Sequence, residues 1–224
     1  MTTTEHRFLA TEKTGEVGAL WRRPRGAKLL YVFAHGAGAG MSHVFMESMA
    51  ERLADRSIAT FRFQFPYMEA GRRRPDPPAI VQTTIRNAVT CARKIDSKLP
   101  VIAGGKSFGG RLTSLAQAKE PIDGVRGLAF TGFPLHAAGK PSDTRAAHLG
   151  EIKIPMLYLQ GTRDALANLE LMRPVCQRLG RRTRLHIVEG ADHGFHVLKR
   201  SGRTDDEVLD ELANEIRSWG DQIG

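Results

Sequence analysis

The strongest constraint on the fold is a short segment, residues 105–110, with the sequence Gly-Lys-Ser-Phe-Gly-Gly. It follows an apolar run at residues 101–103 and precedes a stretch of helical character. A serine that joins a strand to a helix through a sharp turn has a strained backbone, and only small residues two positions away tolerate that turn. Gly105 and Gly109 occupy those positions around Ser107. The segment therefore predicts a strand, a tight turn that exposes Ser107, and a helix.

Short apolar runs of strand length alternate along the chain with segments of helical periodicity. This alternation is typical of an α/β fold in which helices cover both faces of a mostly parallel sheet. Two runs, at residues 8–10 and 17–21, flank a Thr-Gly pair and predict a hairpin at the edge of the sheet. The other predicted strands lie at residues 29–34, 58–63, 101–103, 128–131, 156–160 and 185–188.

Capping patterns place the predicted helices between these strands. Ser42 is a candidate cap for a helix with apolar residues every four positions, and Thr204 with Glu207 forms a capping-box pattern before the last helix. Pro174 has to start or kink the helix that precedes residues 185–188. Residues 133–153 form the longest irregular stretch, and loops of that length between two strands are usually functional or mobile.

Length and composition limit the number of domains and the compartment. A chain of 224 residues with 41% hydrophobic residues is long enough for one core, and we expect residues 1–224 to form a single domain. The N-terminus lacks the basic and apolar segments of a signal peptide, and every apolar run is far shorter than the roughly 20 residues of a membrane span. These features predict a cytoplasmic protein without a membrane partner.

The net charge of +9 raises the question of an anionic partner. The arginines are dispersed without interleaved aromatic residues, so a solvated basic surface is favoured and no nucleic-acid partner is predicted. The arginine cluster at residues 72–74 could assist an anionic ligand.

Cys91 and Cys176 are far apart in the sequence and are expected to be free thiols rather than zinc ligands. No metal or cofactor is predicted, and the oligomeric state stays open.

Chemically active residues follow three of the predicted strands. Ligands of an open α/β sheet bind beyond the carboxyl ends of its strands, and Ser107, Asp164 and His193 all lie there. Serine becomes a nucleophile when a histidine removes its proton, and an aspartate orients that histidine and stabilises its charged form. The three residues are therefore interpreted as a catalytic triad. Asp192 is the alternative acid, but it adjoins His193, and neighbouring side chains on a loop diverge.

Each of these residues also has a plain structural interpretation. A serine between glycines is commonly part of a turn, and an aspartate in a loop commonly caps a helix. His193 and His196 have a spacing found in metal sites, yet no third ligand is spaced to join them. The catalytic interpretation is favoured because a serine, an aspartate and a histidine all follow strands in one chain.

Two backbone N–H groups and a set of mainly aromatic residues complete the predicted site. The N–H of Phe108, at the start of a helix, and the N–H of Ala37, in the glycine-rich loop at residues 35–40, are the candidate donors of an oxyanion hole. Within that loop His35 is expected to hold the loop rather than to act in catalysis. The candidate pocket residues are His35, Phe63, Phe65, Tyr67, Lys106, Phe133, Leu135 and Phe195.

The chain resembles the α/β-hydrolase superfamily over nearly its whole length, and most nearly its small, lidless, dienelactone-hydrolase-like members. More narrowly, it resembles compact proteins related to a subunit of a chromatin acetyltransferase complex, through residues 35–38, 65–67, 105–110, 132–136 and 161–164. The resemblance implies the α/β-hydrolase fold and a triad of Ser107, Asp164 and His193. Dienelactone hydrolases proper use a cysteine nucleophile, so their substrate is not transferred to this chain.

The residues and the resemblance together predict a serine hydrolase that needs no cofactor. Its expected partner is a small-molecule substrate, a carboxylic ester or thioester of a small to medium acyl group, cleaved through an acyl-enzyme. A serine at position 107 argues against epoxide hydrolases and dehalogenases, which need a carboxylate there. The alternative is a binding or scaffolding module that keeps the fold without useful turnover.

Overall fold

The computed structural model describes residues 2–223 and contains one eight-stranded sheet. In chain order the strands are β1 (Thr3–Thr11), β2 (Gly15–Arg22), β3 (Leu29–Ala34), β4 (Ile58–Phe63), β5 (Val101–Lys106), β6 (Val125–Thr131), β7 (Met156–Gly161) and β8 (Thr183–Val188). Their spatial order is β1-β2-β4-β3-β5-β6-β7-β8. β2 is antiparallel to both β1 and β4, and the other neighbouring pairs are parallel. The predicted mostly parallel sheet with an edge hairpin is confirmed.

Helices connect the strands and cover the sheet. They are α1 (Val44–Asp55), α2 (Pro66–Glu69), α3 (Pro78–Ile95), α4 (Phe108–Lys119), α5 (Leu169–Leu179) and α6 (Asp205–Ile223). The irregular stretch after β6 contains a 3-10 helix at Thr144–Glu151, whose Leu149 packs into the core, so this stretch lies on the body of the protein. In the part of the chain that the structure describes, no helix has the length and apolar character of a membrane span.

The central strand shows how the core is divided into two layers. Successive side chains of a strand point to opposite faces. In β3, Val32 and Ala34 pack in the layer that α3 and α4 cover, whereas Tyr31 and Phe33 pack in the layer that α1 and α6 cover. Because both faces are covered, all six residues of β3 are buried, which explains its continuous apolar run. Helices therefore lie on both faces of the sheet, as predicted.

The start of α1 differs from the sequence prediction. His43 is the N-cap, and its Nδ1 accepts a hydrogen bond from the N–H of Phe45 at 3.2 Å. Ser42 does not cap the helix, because the chain there still belongs to the turn closed by a hydrogen bond from the His43 N–H to the Gly40 carbonyl. This shift of one residue matters because the first turn of α1 forms part of the candidate site.

The last two helices test the predictions made for Pro174 and for the capping box at Thr204 and Glu207. Pro174 lies inside α5 and does not start it, since the helix begins after Asn168, whose Oδ1 accepts from the N–H of Glu170 at 2.7 Å. At α6 the capping box is confirmed: the N–H of Glu207 donates to Oγ1 of Thr204 at 3.2 Å, and the N–H of Thr204 donates to Oε2 of Glu207 at 2.7 Å. These paired bonds satisfy N–H groups that would otherwise lack partners at the helix start.

Candidate active site

Ser107 lies in a sharp turn between β5 and α4, with φ +49° and ψ −115°. Such a backbone conformation costs on the order of 1–3 kcal/mol for a residue other than glycine, so the surrounding structure has to hold it. A Cβ atom at Gly105 would lie 2.1 Å from the carbonyl oxygen of Ala34, and one at Gly109 would lie 2.5 Å from that of His35. Only glycine fits where these backbones approach, and the turn presents Ser107 at the carboxyl edge of the sheet.

Side chains from three strand ends form a continuous hydrogen-bonded line. The Oγ of Ser107 lies 2.8 Å from Nε2 of His193, and Nδ1 of His193 lies 2.7 Å from Oδ2 of Asp164. Because an ionised carboxylate only accepts, Nδ1 carries the proton of the neutral imidazole and Nε2 accepts from the serine hydroxyl. In this arrangement His193 can take the proton of Ser107 while Asp164 stabilises the resulting positive charge.

The carboxylate of Asp164 is held by several donors besides His193. Its side chain is only 1% exposed, Oδ1 accepts from the N–H of Leu166 at 2.7 Å, and Oδ2 also accepts from the side-chain amide of Gln160. These donors give both oxygens of the buried carboxylate hydrogen-bond partners. The position of Asp164 is therefore set by the end of β7 and by the turn that follows it.

Asp192, the alternative acid, serves its own loop. Its Oδ1 accepts hydrogen bonds from the N–H groups of Gly194 at 2.7 Å and His196 at 3.0 Å. His196 in turn contacts Oδ2 of Asp205 at 2.7 Å, and this hydrogen bond raises the pKa of His196. His193 and His196 thus have different partners. Within residues 2–223, no three His, Cys, Asp or Glu side chains are grouped to hold a metal ion.

The two candidate oxyanion-hole donors flank Ser107. Phe108 is the first residue of α4, where the helix dipole places positive charge. Ala37 lies in the loop against the serine, because a Cβ at the adjacent Gly36 would be 3.8 Å from the Cβ of Ser107. Among residues 2–223 neither the Phe108 N–H nor the Ala37 N–H has a hydrogen-bond acceptor. Both N–H groups are therefore available to an oxygen placed near Ser107.

His35 and Tyr67 brace the loop that carries Ala37. Nδ1 of the buried His35 bonds to the carbonyl of Gly36 at 2.7 Å, and its Nε2 accepts from the N–H of Phe65 at 3.1 Å. Burial lowers the pKa of His35 to about 4, so the ring is neutral near pH 7. The N–H of Gly38 donates to the hydroxyl of Tyr67 at 3.3 Å. These contacts agree with the expectation that His35 holds its loop.

A cavity of about 370 Å³ opens beside Ser107. It lies between the glycine-rich loop, the first turn of α1 and the loop of His193. Its walls are mainly apolar, apart from the polar groups of the hydrogen-bonded line, His43 and Lys106. The lining residues are Gly36, Ala37, Ala39, His43, Phe45, Met46, Lys106, Ser107, Leu166, His193 and Gly194.

The predicted pocket lining needs correction, because Lys106 is the one predicted pocket residue that lines this cavity. The aromatic rings that follow the strands turn back into the core: Phe65 packs on His35 with 4.7 Å between ring centroids, and Phe133 packs on Phe130 at 5.4 Å. Each is used by core packing and offers no surface to a ligand. The predicted pocket residues that are instead buried in the core are His35, Phe63, Phe65, Tyr67, Phe133, Leu135 and Phe195.

The residues that do line the apolar wall were missed. Phe45 and Met46 belong to the first turn of α1, and Leu166 follows Asp164 by two positions. The available signal for the first two was the place of α1 directly after the glycine-rich loop, which brings its N-terminus to the same edge of the sheet. No sequence pattern distinguishes Leu166 from other loop leucines.

Comparison with known proteins agrees with this fold. The sequence model of the family described as "Alpha/beta hydrolase domain" matches residues 27–221. The chain therefore belongs to the α/β-hydrolase family, as its sequence resemblance implied.

Solved structures share this fold over nearly the whole chain. The chain is similar to a dienelactone hydrolase from Anabaena variabilis ATCC 29413, with a TM-score of 0.77, 20% identity and coverage of 100% of this chain and 99% of that one. It is also similar to an α/β serine hydrolase without a lid from Xanthomonas campestris, with a TM-score of 0.75, 17% identity and coverage of 98% and 95%. Identities this low show the fold alone, and that fold is the predicted α/β-hydrolase fold.

Two curated relatives are much longer than this chain. They come from Mycobacterium tuberculosis strains CDC 1551 / Oshkosh and ATCC 25618 / H37Rv, are provisionally named phosphoribosyl transferases, and are 30% identical over 177 residues. The match covers 77% of this chain but 37% of each relative. This chain therefore spans little more than a third of their length, and their name describes the longer proteins.

Proposed function

We propose that this protein is a serine hydrolase that cleaves a carboxylic ester or thioester through an acyl-enzyme, with residues 1–224 acting as one domain. The observation that carries the proposal is the hydrogen-bonded line of Ser107, His193 and Asp164, which ends at a cavity. A hydroxyl, an imidazole and a buried carboxylate in this order are the groups that acyl transfer requires.

The proposed reaction begins when Oγ of Ser107 attacks the carbonyl carbon of the substrate and its proton passes to Nε2 of His193. Negative charge develops on the carbonyl oxygen, and the N–H groups of Phe108 and Ala37 are the proposed donors that stabilise it. The intermediate collapses, the C–O or C–S bond breaks, and His193 protonates the departing alcohol or thiol. A water molecule then repeats these steps on the acyl-enzyme, releasing the acid and regenerating Ser107.

The size and lining of the cavity favour a small or medium acyl group. Its volume of about 370 Å³ is near the lower end of the usual range for ligand sites, about 300–1,000 Å³. Phe45, Met46 and Leu166 supply apolar surface beside the nucleophile. A short acyl chain can lie against this wall while its carbonyl reaches Ser107, and a long lipid chain has to extend beyond the cavity.

Hydrolysis and covalent labelling test the proposal together. Purified protein is expected to hydrolyse p-nitrophenyl acetate or butyrate, and a fluorophosphonate is expected to label Ser107, as mapped by mass spectrometry of the digested protein. Ser107→Ala should abolish both signals, whereas Ser97→Ala, at an exposed position, should keep them. A folded protein that shows neither hydrolysis nor labelling would contradict the proposal and favour the binding or scaffolding alternative.

Three narrower statements about this protein remain predictions from its sequence. They are the cytoplasmic location, the absence of a nucleic-acid partner and the relation to a subunit of a chromatin acetyltransferase complex.

The leaving-group class of the proposed reaction can be decided by comparing activity toward an ester with activity toward a thioester of the same acyl group.

A further inference from the structure

Lys106, the last residue of β5, connects the turn of Ser107 to the loop of His193. Its side chain lines the cavity, and its ammonium group donates a hydrogen bond to the backbone carbonyl of His193. The Nζ atom also lies 4.9 Å from the ring centroid of Phe195 and 5.3 Å from that of Phe45. A cation over aromatic faces is attracted to them, so three partners hold one amine in one place.

The neighbouring backbone leaves room for this amine. Gly132, directly after β6, has φ +70°, and its N–H donates to the Leu159 carbonyl at 2.9 Å. A Cβ atom at Gly132 would lie 2.9 Å from Nζ of Lys106 and 3.4 Å from Nδ1 of His193. Glycine at this position therefore leaves room for the lysine amine and the imidazole ring side by side.

The sheet order explains why such a connection matters. Ser107 follows β5 and His193 follows β8, and β6 and β7 lie between these two strands. The two loops therefore do not share main-chain pairing between neighbouring strands. The bond from Lys106 to the His193 carbonyl links them directly and does not depend on the triad hydrogen bonds. Burial lowers the pKa of Lys106 to about 8, while the carboxylates of Asp164 and Asp192 favour its charged form.

We propose that Lys106 is a positioning residue, which holds the loop of His193 so that the imidazole stays within reach of the Ser107 hydroxyl. This inference rests on the proposed function of the same site. Lys106 acts through the backbone of His193 and takes no part in proton transfer. Its loss should therefore reduce the rate of the chemical steps more than it weakens substrate binding.

The first test replaces the amine while keeping an apolar stem, in Lys106→Met. A misplacement of about 1 Å can reduce a rate by about 10²-fold, so we expect kcat for p-nitrophenyl butyrate to fall by roughly 10- to 100-fold with a small change in KM. The matched control is Lys119→Met, at an exposed position at the end of α4. A Lys106→Met protein with the kcat of this control would overturn the proposal.

The second test does not depend on turnover. The proton on Nδ1 of His193, shared with Asp164, should give a downfield resonance in the proton NMR spectrum of the unmodified protein. We expect Lys106→Met to shift or broaden this resonance through faster exchange, and Lys119→Met to leave it unchanged. An unchanged resonance in Lys106→Met would contradict the positioning role even if the protein has no esterase activity, which separates this proposal from the proposed function.

Chemical restoration of the side chain separates positioning from a general packing defect. In Lys106→Cys, the thiolate can displace bromide from 2-bromoethylamine, which forms a C–S bond and returns an amine at nearly the lysine length. We expect this treatment to restore most of the lost kcat and the NMR signal. The control is the protein that retains Lys106, treated with the same reagent, because 2-bromoethylamine can also react at Cys91 and Cys176. Failure to restore either signal, in protein shown by mass to be modified at position 106, would overturn the proposal.

Discussion

The hydrogen-bonded line and the apolar wall of the cavity meet at Ser107 but are built in different ways. Each member of the line follows the end of a strand, and its place depends on strand order and on glycines that permit close backbone approach. The wall comes from the first turn of α1 and from Leu166, whose places depend on how a helix and a loop pack on the sheet. The proposed reaction and the proposed substrate preference therefore rest on different kinds of structural constraint.

This difference gives opposite expectations for the two regions. Variants in the hydrogen-bonded line should lower turnover of every substrate alike and should not change the relative preference among acyl groups. Variants in the wall should keep turnover and change that preference. A wall variant that abolished labelling of Ser107, or a line variant that changed only chain-length preference, would break the distinction.

The largest expected effect is that of Ser107→Ala. Residues of such a triad act as a unit, so kcat should fall by on the order of 10⁶-fold when the nucleophile is removed. The measurement is the hydrolysis of p-nitrophenyl butyrate, with thermal unfolding as a check on the fold. A loss smaller than about tenfold in a folded protein would contradict the acyl-enzyme mechanism.

The second largest loss of kcat is expected for Asp164, the carboxylate of the hydrogen-bonded line. Asp164→Asn should reduce kcat by roughly 10⁴-fold, because the amide can donate to Nδ1 and thereby favours the wrong tautomer of His193. Asp192→Asn is the matched control, since its Oδ1 can still accept from the N–H groups of Gly194 and His196. If the control lost more activity than Asp164→Asn, the two aspartates would have to exchange their assigned roles.

His35 tests a strand-end residue that lies outside the line. Its pKa is about 4 in the folded protein, so between that value and 6.5 the unfolded chain binds a proton that the folded chain does not. Stability should therefore fall as pH decreases through this window, by up to about 3 kcal/mol. Denaturant unfolding of His35→Gln, which keeps an acceptor for the Phe65 N–H, should show a flatter pH dependence. Equal slopes would contradict the buried neutral state.

The smallest effect is expected in the wall. Leu166→Ala should widen the cavity, and the ratio of kcat/KM for octanoyl over butyryl p-nitrophenyl esters should rise by about tenfold, as one or two methylene contacts change discrimination by that order. Leu9→Ala, at a side chain 43% exposed on β1, is the control. An unchanged ratio would mean that acyl chains bind elsewhere.

Much of the scaffold could be predicted because it follows from local rules. The apolar run of β3, buried on both faces, and the glycines around Ser107 each reflect a constraint within a few residues. The expectation that Ser107, Asp164 and His193 lie at one edge followed from the rule that parallel strands share a carboxyl edge. The catalytic role of these residues stays a prediction that the variants above test.

The pocket could not be predicted in the same way. Several predicted pocket aromatics lie in loops that follow a strand: Phe65, Phe133 and Phe195. An aromatic ring at such a position can face either a ligand or the core. Their sequence positions do not distinguish these outcomes, because the direction of each ring depends on neighbours far away in the chain. In the folded protein Phe65 packs on His35, and Phe195 stacks on Phe45 with ring centroids 5.9 Å apart.

The amino-acid order alone predicted a mostly parallel sheet and the turn at Ser107, since backbone sterics and apolar periodicity act over short distances, and it implied the family through the resemblance of its motifs. Folding in three dimensions decided which side chains line the cavity and that Lys106 reaches across two strands to the carbonyl of His193. Contacts of that kind depend on packing between segments that are distant along the chain, and no local pattern encodes them.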